Sequence, residues 1–202
     1  MTAADDPVIV DPAAVAPTLQ TWDRLAAAMP DCYACPLSVS RTRVVPGVFP
    51  SGARLLLVGE APGRSEDEGG LPFIGRSGQL LDQLLAEAGL QRAEVAVLNT
   101  VKCRPPGNRT PRRREAATCR SWLDAQVEVI DPPVIVTLGG AALTWALGPK
   151  ARITTARGTV HEVRGRALVP TYHPAAAMRF GPQGAPLQAL RADLATAAAL
   201  VQ

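Results

Sequence analysis

Four short apolar runs, Arg54–Val58, Val95–Leu98, Val134–Leu138 and Ala167–Thr171, are separated by stretches of helical periodicity. From Ser77 to Leu90 the apolar positions Leu80, Leu81, Leu84, Leu85 and Ala88 recur at helical spacing, and Gly89 is placed to end that helix. Arg112–Ile130 is mostly helical, Ala141–Leu147 is a short helix candidate, and Leu187–Val201 closes the chain with Leu187, Leu190, Leu194 and Ala198 along one side. Strands that alternate with helices predict a mostly parallel sheet of four strands covered on both faces.

The 202 residues, 47% of them hydrophobic, suffice for one core, which predicts a single domain over residues 21–202. Residues 1–20 are rich in Ala, Pro and Asp and read as a mobile leader. They lack the basic start and apolar middle of an export signal, and no apolar run is long enough to span a membrane. A cytoplasmic protein without membrane attachment is expected.

The residues that follow the strands matter more than the strands themselves. The first run leads into Gly59-Glu60-Ala61-Pro62-Gly63, the second into Asn99-Thr100-Val101-Lys102, the third into Gly139-Gly140 and the last into His173-Pro174. In an open parallel sheet these loops gather at the carboxyl edge, where such folds bind ligands. Glu60, Asn99 and His173 are therefore expected to share one crevice. Taken singly, each has a plainer reading: a histidine before proline as a turn residue, an asparagine as a loop cap. The glycines do not form a phosphate cradle, because neither G-x-G-x-x-G nor G-x-x-x-x-G-K-[ST] occurs. No nucleotide cofactor is expected.

Charge is unevenly distributed. Between Lys102 and Arg120 there are seven basic residues against the single acid Glu115, a segment of +6 in a chain of +3. Pro105, Pro106, Gly107 and Pro111 prevent this stretch from forming one regular helix. It is either a solvated loop or a loop that neutralises nucleic-acid phosphates. Cys103 and Cys119 flank it, and Cys32 and Cys35 form a C-x2-C pair upstream. A disulfide framework does not suit a cytosolic chain of this size. Four thiolates suit zinc and an iron–sulfur cluster alike, and spacing leaves both open beside four ordinary buried cysteines.

Several segments together resemble the family 4 uracil-DNA glycosylases, the iron–sulfur branch of the uracil-DNA glycosylase superfamily. They are Cys32-Tyr33-Ala34-Cys35, Arg41-Thr42-Arg43-Val44-Val45-Pro46-Gly47, Val58 to Gly63 with Glu66-Asp67, Pro72 to Leu81, Asn99 to Pro106, and Tyr172-His173-Pro174 followed by Arg179. The resemblance implies a three-layer α/β/α fold and a monofunctional DNA-repair enzyme, nucleoid-associated in a prokaryote. Such an enzyme flips uracil out of single- or double-stranded DNA and hydrolyses its N-glycosidic bond as a monomer. It implies one 4Fe-4S cluster on Cys32, Cys35, Cys103 and Cys119. It also implies that Phe73 stacks on the flipped base, Asn99 reads its N3 and O4 edge and His173 approaches O2. Glu60, Ala61 and Pro62 would line the pocket and hold the attacking water, and Glu66 would wall off C5. With the basic loop read as a phosphate contact, Arg109 and Arg112 are its candidate DNA-binding residues.

Three other readings remain. A superfamily relative that becomes trapped covalently on DNA needs a histidine in that loop, and the only histidines are His161 and His173. A noncatalytic iron–sulfur or zinc DNA-binding module leaves Glu60, Phe73, Asn99 and His173 without work. A glycosylase of broader deaminated-base specificity, acting also on hypoxanthine or xanthine, stays open.

Overall fold

The computed structural model describes residues 10–181 and 183–202. Its strands are β1 (Leu55–Gly59), β2 (Val95–Asn99), β3 (Val134–Leu138), β4 (His161–Val163) and β5 (Arg166–Thr171). Its helices are α1 (Pro12–Val15), α2 (Trp22–Ala28), α3 (Leu37–Ser40), α4 (Arg64–Gly69), α5 (Arg76–Glu87), α6 (Arg113–Ile130), α7 (Gly140–Leu147), α8 (Ile153–Ala156), α9 (Pro174–Phe180) and α10 (Ala185–Val201).

The strands form one sheet in the order β2-β1-β3-β5-β4. β1 pairs in parallel with β2 and with β3, β3 pairs in parallel with β5, and β4 runs antiparallel at the edge. Every residue of β1, β2 and β3 is buried, as befits strands covered on both faces. Alternation decides which side chain meets which layer. Leu55 and Leu57 join Leu81, Leu84 and Leu85 of α5 and Leu190 and Leu194 of α10. Leu56 and Val58 join Leu123 and Val127 of α6 and Ala142 of α7. A slip of one residue would exchange these two sets, and each buried leucine is worth about 1.5–3 kcal/mol, so the register is strongly specified.

The sheet therefore has five strands where four were expected. The addition is β4, joined to β5 by Arg164 and Gly165, whose φ values of 51 and 74 are those of a two-residue hairpin turn. The expected leader also differs. Residues 1–9 lie outside the described residues, but α1 packs on α6 and Ala16 is fully buried, so the folded unit begins before residue 20. Ala16 belongs to a third, smaller cluster with Leu25, Met29, Leu37, Val101, Cys103, Cys119 and Trp122.

Candidate active site

β1 and β2 end side by side at Gly59 and Asn99. Neither Asn99 Nδ2 nor Oδ1 has a hydrogen-bond partner among the described residues, although both atoms are buried. An unpaired buried amide costs about 1–3 kcal/mol, so an amide held this way is a strong pointer to a ligand. Gly59 makes room for it. A Cβ there would lie 2.5 Å from Asn99 Oδ1 and 2.6 Å from the Phe73 ring. That close approach is a signal which sequence reasoning passed over, having read Gly59 only as part of a loop.

Phe73 reaches the site from the segment between α4 and α5. Its φ of 55 is left-handed, a strained conformation for an aromatic residue and one that concentrates at functional sites. Glu66 holds the strain in place. Its carboxylate accepts from Gly63 N at 3.0 Å, from Ile74 N at 2.9 Å and from Gly75 N at 2.8 Å. Gly78 lets α5 pass over the backbone of Phe73, where any Cβ would collide with its carbonyl. Glu66, expected beside C5 of uracil, is thus committed to fixing the loop that carries the ring.

The Phe73 ring lies 5.6 Å from the His173 imidazole at an interplanar angle of 29°. His173 Nδ1 accepts from Ala175 N at 3.1 Å and so caps α9. An accepting Nδ1 puts the ring proton on Nε2 and leaves that N–H as the available donor. Burial pushes the imidazole down to about 4, against a smaller opposing effect of Glu66, so the ring is neutral at physiological pH.

Glu60 follows Gly59 directly. Its backbone carbonyl accepts from Thr100 Oγ1 at 2.6 Å. Burial raises its carboxyl above the usual range, and a hydrogen bond from the Thr110 side chain acts in the opposite direction. Thr110, on the basic loop, was not anticipated. Ala61 packs toward the third cluster and Pro62 is buried beside it in sequence.

The basic loop is less free than its charge suggests. Arg109 makes a two-pronged pair with the buried Glu115, at 2.7 and 2.8 Å, and Glu115 also accepts from Arg112 N at 2.7 Å. Lys102 is 2% exposed and donates to the Asn99 carbonyl at 2.9 Å. Of the seven cations, Lys102 is thereby withdrawn from solvent and Arg109 is committed to Glu115. Arg112, Arg113 and Arg114 remain exposed.

All four cysteines are free thiols and line one small cavity, together with Pro12, Met29, Arg41 and Lys102. Arg41 directs a guanidinium N–H at Cys103 Sγ (3.3 Å), and Trp122 directs its indole N–H at Cys32 Sγ (3.4 Å). Burial pushes the Cys119 thiol up to about 12 and also raises Cys35 and Cys103. Among the described residues no group of three or more His, Cys, Asp or Glu side chains is placed to hold a metal ion.

Fold and site together define an α/β protein with a buried, unpaired amide beside a stacked Phe–His pair at the carboxyl edge of a parallel sheet. Residues 46–195 match the family described as the uracil DNA glycosylase superfamily. The chain is 47% identical over 150 residues to the type-4 uracil-DNA glycosylase of Thermotoga maritima, covering 73% of this chain and 78% of that one. It is 40% identical over 159 residues to the type-4 enzyme of Sulfurisphaera tokodaii, covering 73% and 71%. The type-4 enzyme of Archaeoglobus fulgidus is 39% identical over 173 residues, covering 82% and 86%. The chain belongs to the uracil DNA glycosylase superfamily, in its type-4 family.

Proposed function

We propose that this protein excises uracil from DNA and leaves an abasic site, as the first step of base excision repair. The observation that carries this reading is the buried, unpartnered amide of Asn99 beside the Phe73–His173 pair. A base inside a duplex is out of reach, so it must be flipped into the pocket. Stacking on Phe73 contributes about 1–3 kcal/mol without choosing among bases. Choice comes from Asn99, whose Oδ1 accepts from N3–H of uracil while its Nδ2 donates to O4.

Breaking the bond between N1 and C1′ leaves the electron pair on uracil, spread over O2 and O4. The Nε2–H of neutral His173 donates to O2 as that charge develops. A donor aimed at developing charge is typically worth about 10²–10³ in rate. Glu60 orients the water that adds to C1′ and takes its proton, a role suited to a carboxylate whose pKa burial has raised. Arg112 contacts phosphate, whereas Arg109 serves the loop through Glu115.

The four thiols fit an iron–sulfur cluster. They surround a cavity, whereas one zinc ion would draw its sulfurs to about 2.3 Å from itself. N–H donors already point at two of the sulfurs, and a buried cation lies against the cage, as thiolate ligands require. When bound, a 4Fe-4S cluster on Cys32, Cys35, Cys103 and Cys119 supplies a cross-link between the C-x2-C turn and both ends of the basic loop.

The test is direct. Purified protein is incubated with a uracil-containing oligonucleotide and abasic sites are counted, with the Asn99→Ala variant in parallel. Abasic sites from the wild type and far fewer from the variant are expected. No abasic sites from metal-loaded wild type would overturn the reading and favour a noncatalytic DNA-binding protein.

A further inference from the structure

Lys102 is among the largest fully buried side chains of the described residues. Of its three ammonium protons, one is given to the Asn99 carbonyl, which is itself buried. An ammonium in such a place costs several kcal/mol unless negative charge lies close by. Among the described residues, the cavity of thiols that Lys102 itself lines is where such charge would stand once the cage is filled. The carbonyl of Lys102 accepts from Val45 N at 2.8 Å. The residue is tied to the end of β2 through its side chain and directly precedes Cys103 of the cage. At that end stands the amide with no protein partner.

We propose that Lys102 is a positioning residue that couples the thiolate cage to uracil recognition. Negative charge on the filled cage holds the ammonium, the ammonium holds the Asn99 carbonyl, and the amide of Asn99 is thereby aimed. Placement matters because the amide must reach the N3 and O4 edge of the base from the end of β2. The inference rests on the readings of cage and pocket given above.

Full-length protein, isolated anaerobically, tests it. Iron and sulfide are counted first; wild type lacking both removes the cage reading and this inference with it. In metal-loaded wild type, saturating free uracil should move the midpoint potential, because coupling between two sites is reciprocal. A threefold difference in uracil affinity between oxidation states corresponds to about 28 mV for one electron. Metal-loaded Lys102→Met should bind free uracil at least tenfold more weakly, with a more negative potential because a nearby cation is gone. Lys102→Gln keeps an N–H donor for the Asn99 carbonyl without the charge. It should recover part of the uracil affinity and none of the potential. Wild-type uracil affinity in Lys102→Met, or an unmoved potential in that variant, overturns the coupling while leaving the glycosylase reading intact. If neither variant folds, the wild-type titration decides alone, and a potential unchanged by uracil sinks the proposal.

Discussion

In the proposed mechanism His173 holds two jobs in one ring. Nδ1 caps α9, and losing such a cap costs about 1 kcal/mol, while Nε2–H serves the departing base. His173→Ala should therefore lower the melting temperature and slow the chemistry together, and a second substrate separates the two. A 5-fluorouracil base leaves more readily, because fluorine already stabilises the departing anion. Single-turnover cleavage of uracil should fall by about 10²–10³ in the variant, and cleavage of 5-fluorouracil by distinctly less, each relative to wild type on the same substrate. Equal losses on both would assign His173 to the helix cap alone. Glu60 gives a prediction in pH. In the proposed mechanism it must be ionised to take a proton, so activity should be lost as pH falls through its raised pKa. The Thr110 hydrogen bond lowers that pKa. Thr110→Val should therefore shift the acid limb of the single-turnover rate to higher pH, and an unmoved limb would mean that Thr110 does not act on Glu60.

At the scale of the element, the basic loop is organised by one buried carboxylate. Arg109→Ala leaves the Glu115 carboxylate with only the Arg112 N–H, a change expected to destabilise the loop. It should show as a lower urea midpoint, with any loss of DNA binding following the loss of structure. Arg112→Ala should leave the midpoint nearly unchanged and reduce the salt dependence of DNA binding by about one phosphate contact. Identical salt slopes in Arg112→Ala and wild type would return that arginine to the solvated surface. Sequence alone made the two arginines equivalent, because charge patterning counts residues and cannot see pairing. Lys102 was misread in the same way. The parallel strands and the long helices were legible because burial on two faces forces unbroken apolar runs and helical repeats. β4 was not, because three residues show no period and Arg164-Gly165 is a weaker turn signal than Asn-Gly. The site residues at the strand ends could be placed by topology, since a parallel sheet delivers them to one edge. The left-handed Phe73 and its Glu66 clamp follow from no local pattern, because they depend on contacts between α4, the loop and α5.

Across the whole molecule, the layers divide the labour. The sheet and its two covering layers form the large clusters that contain most of the apolar burial, and the third cluster stands apart around the cysteines. The N-terminal turns reach that third cluster: Pro12 forms part of the cavity wall, Ala16 is buried in the cluster and Val15 packs against it. The apparent domain start near residue 20 is thus adequate for the sheet and inadequate for the cage. A chain trimmed to residues 21–202 should retain the cooperative unfolding of the α/β core. With the proposed cluster in the cage, it should nevertheless release iron to a chelator, and bleach in air, several times faster than the full-length protein. Equal half-lives for the visible absorption of the two would show that the N-terminal turn shields nothing. On that proposal, the lifetime of the colour, and with it how long the protein stays useful outside an oxygen-free environment, is governed by a short stretch of Ala and Pro that reads as dispensable.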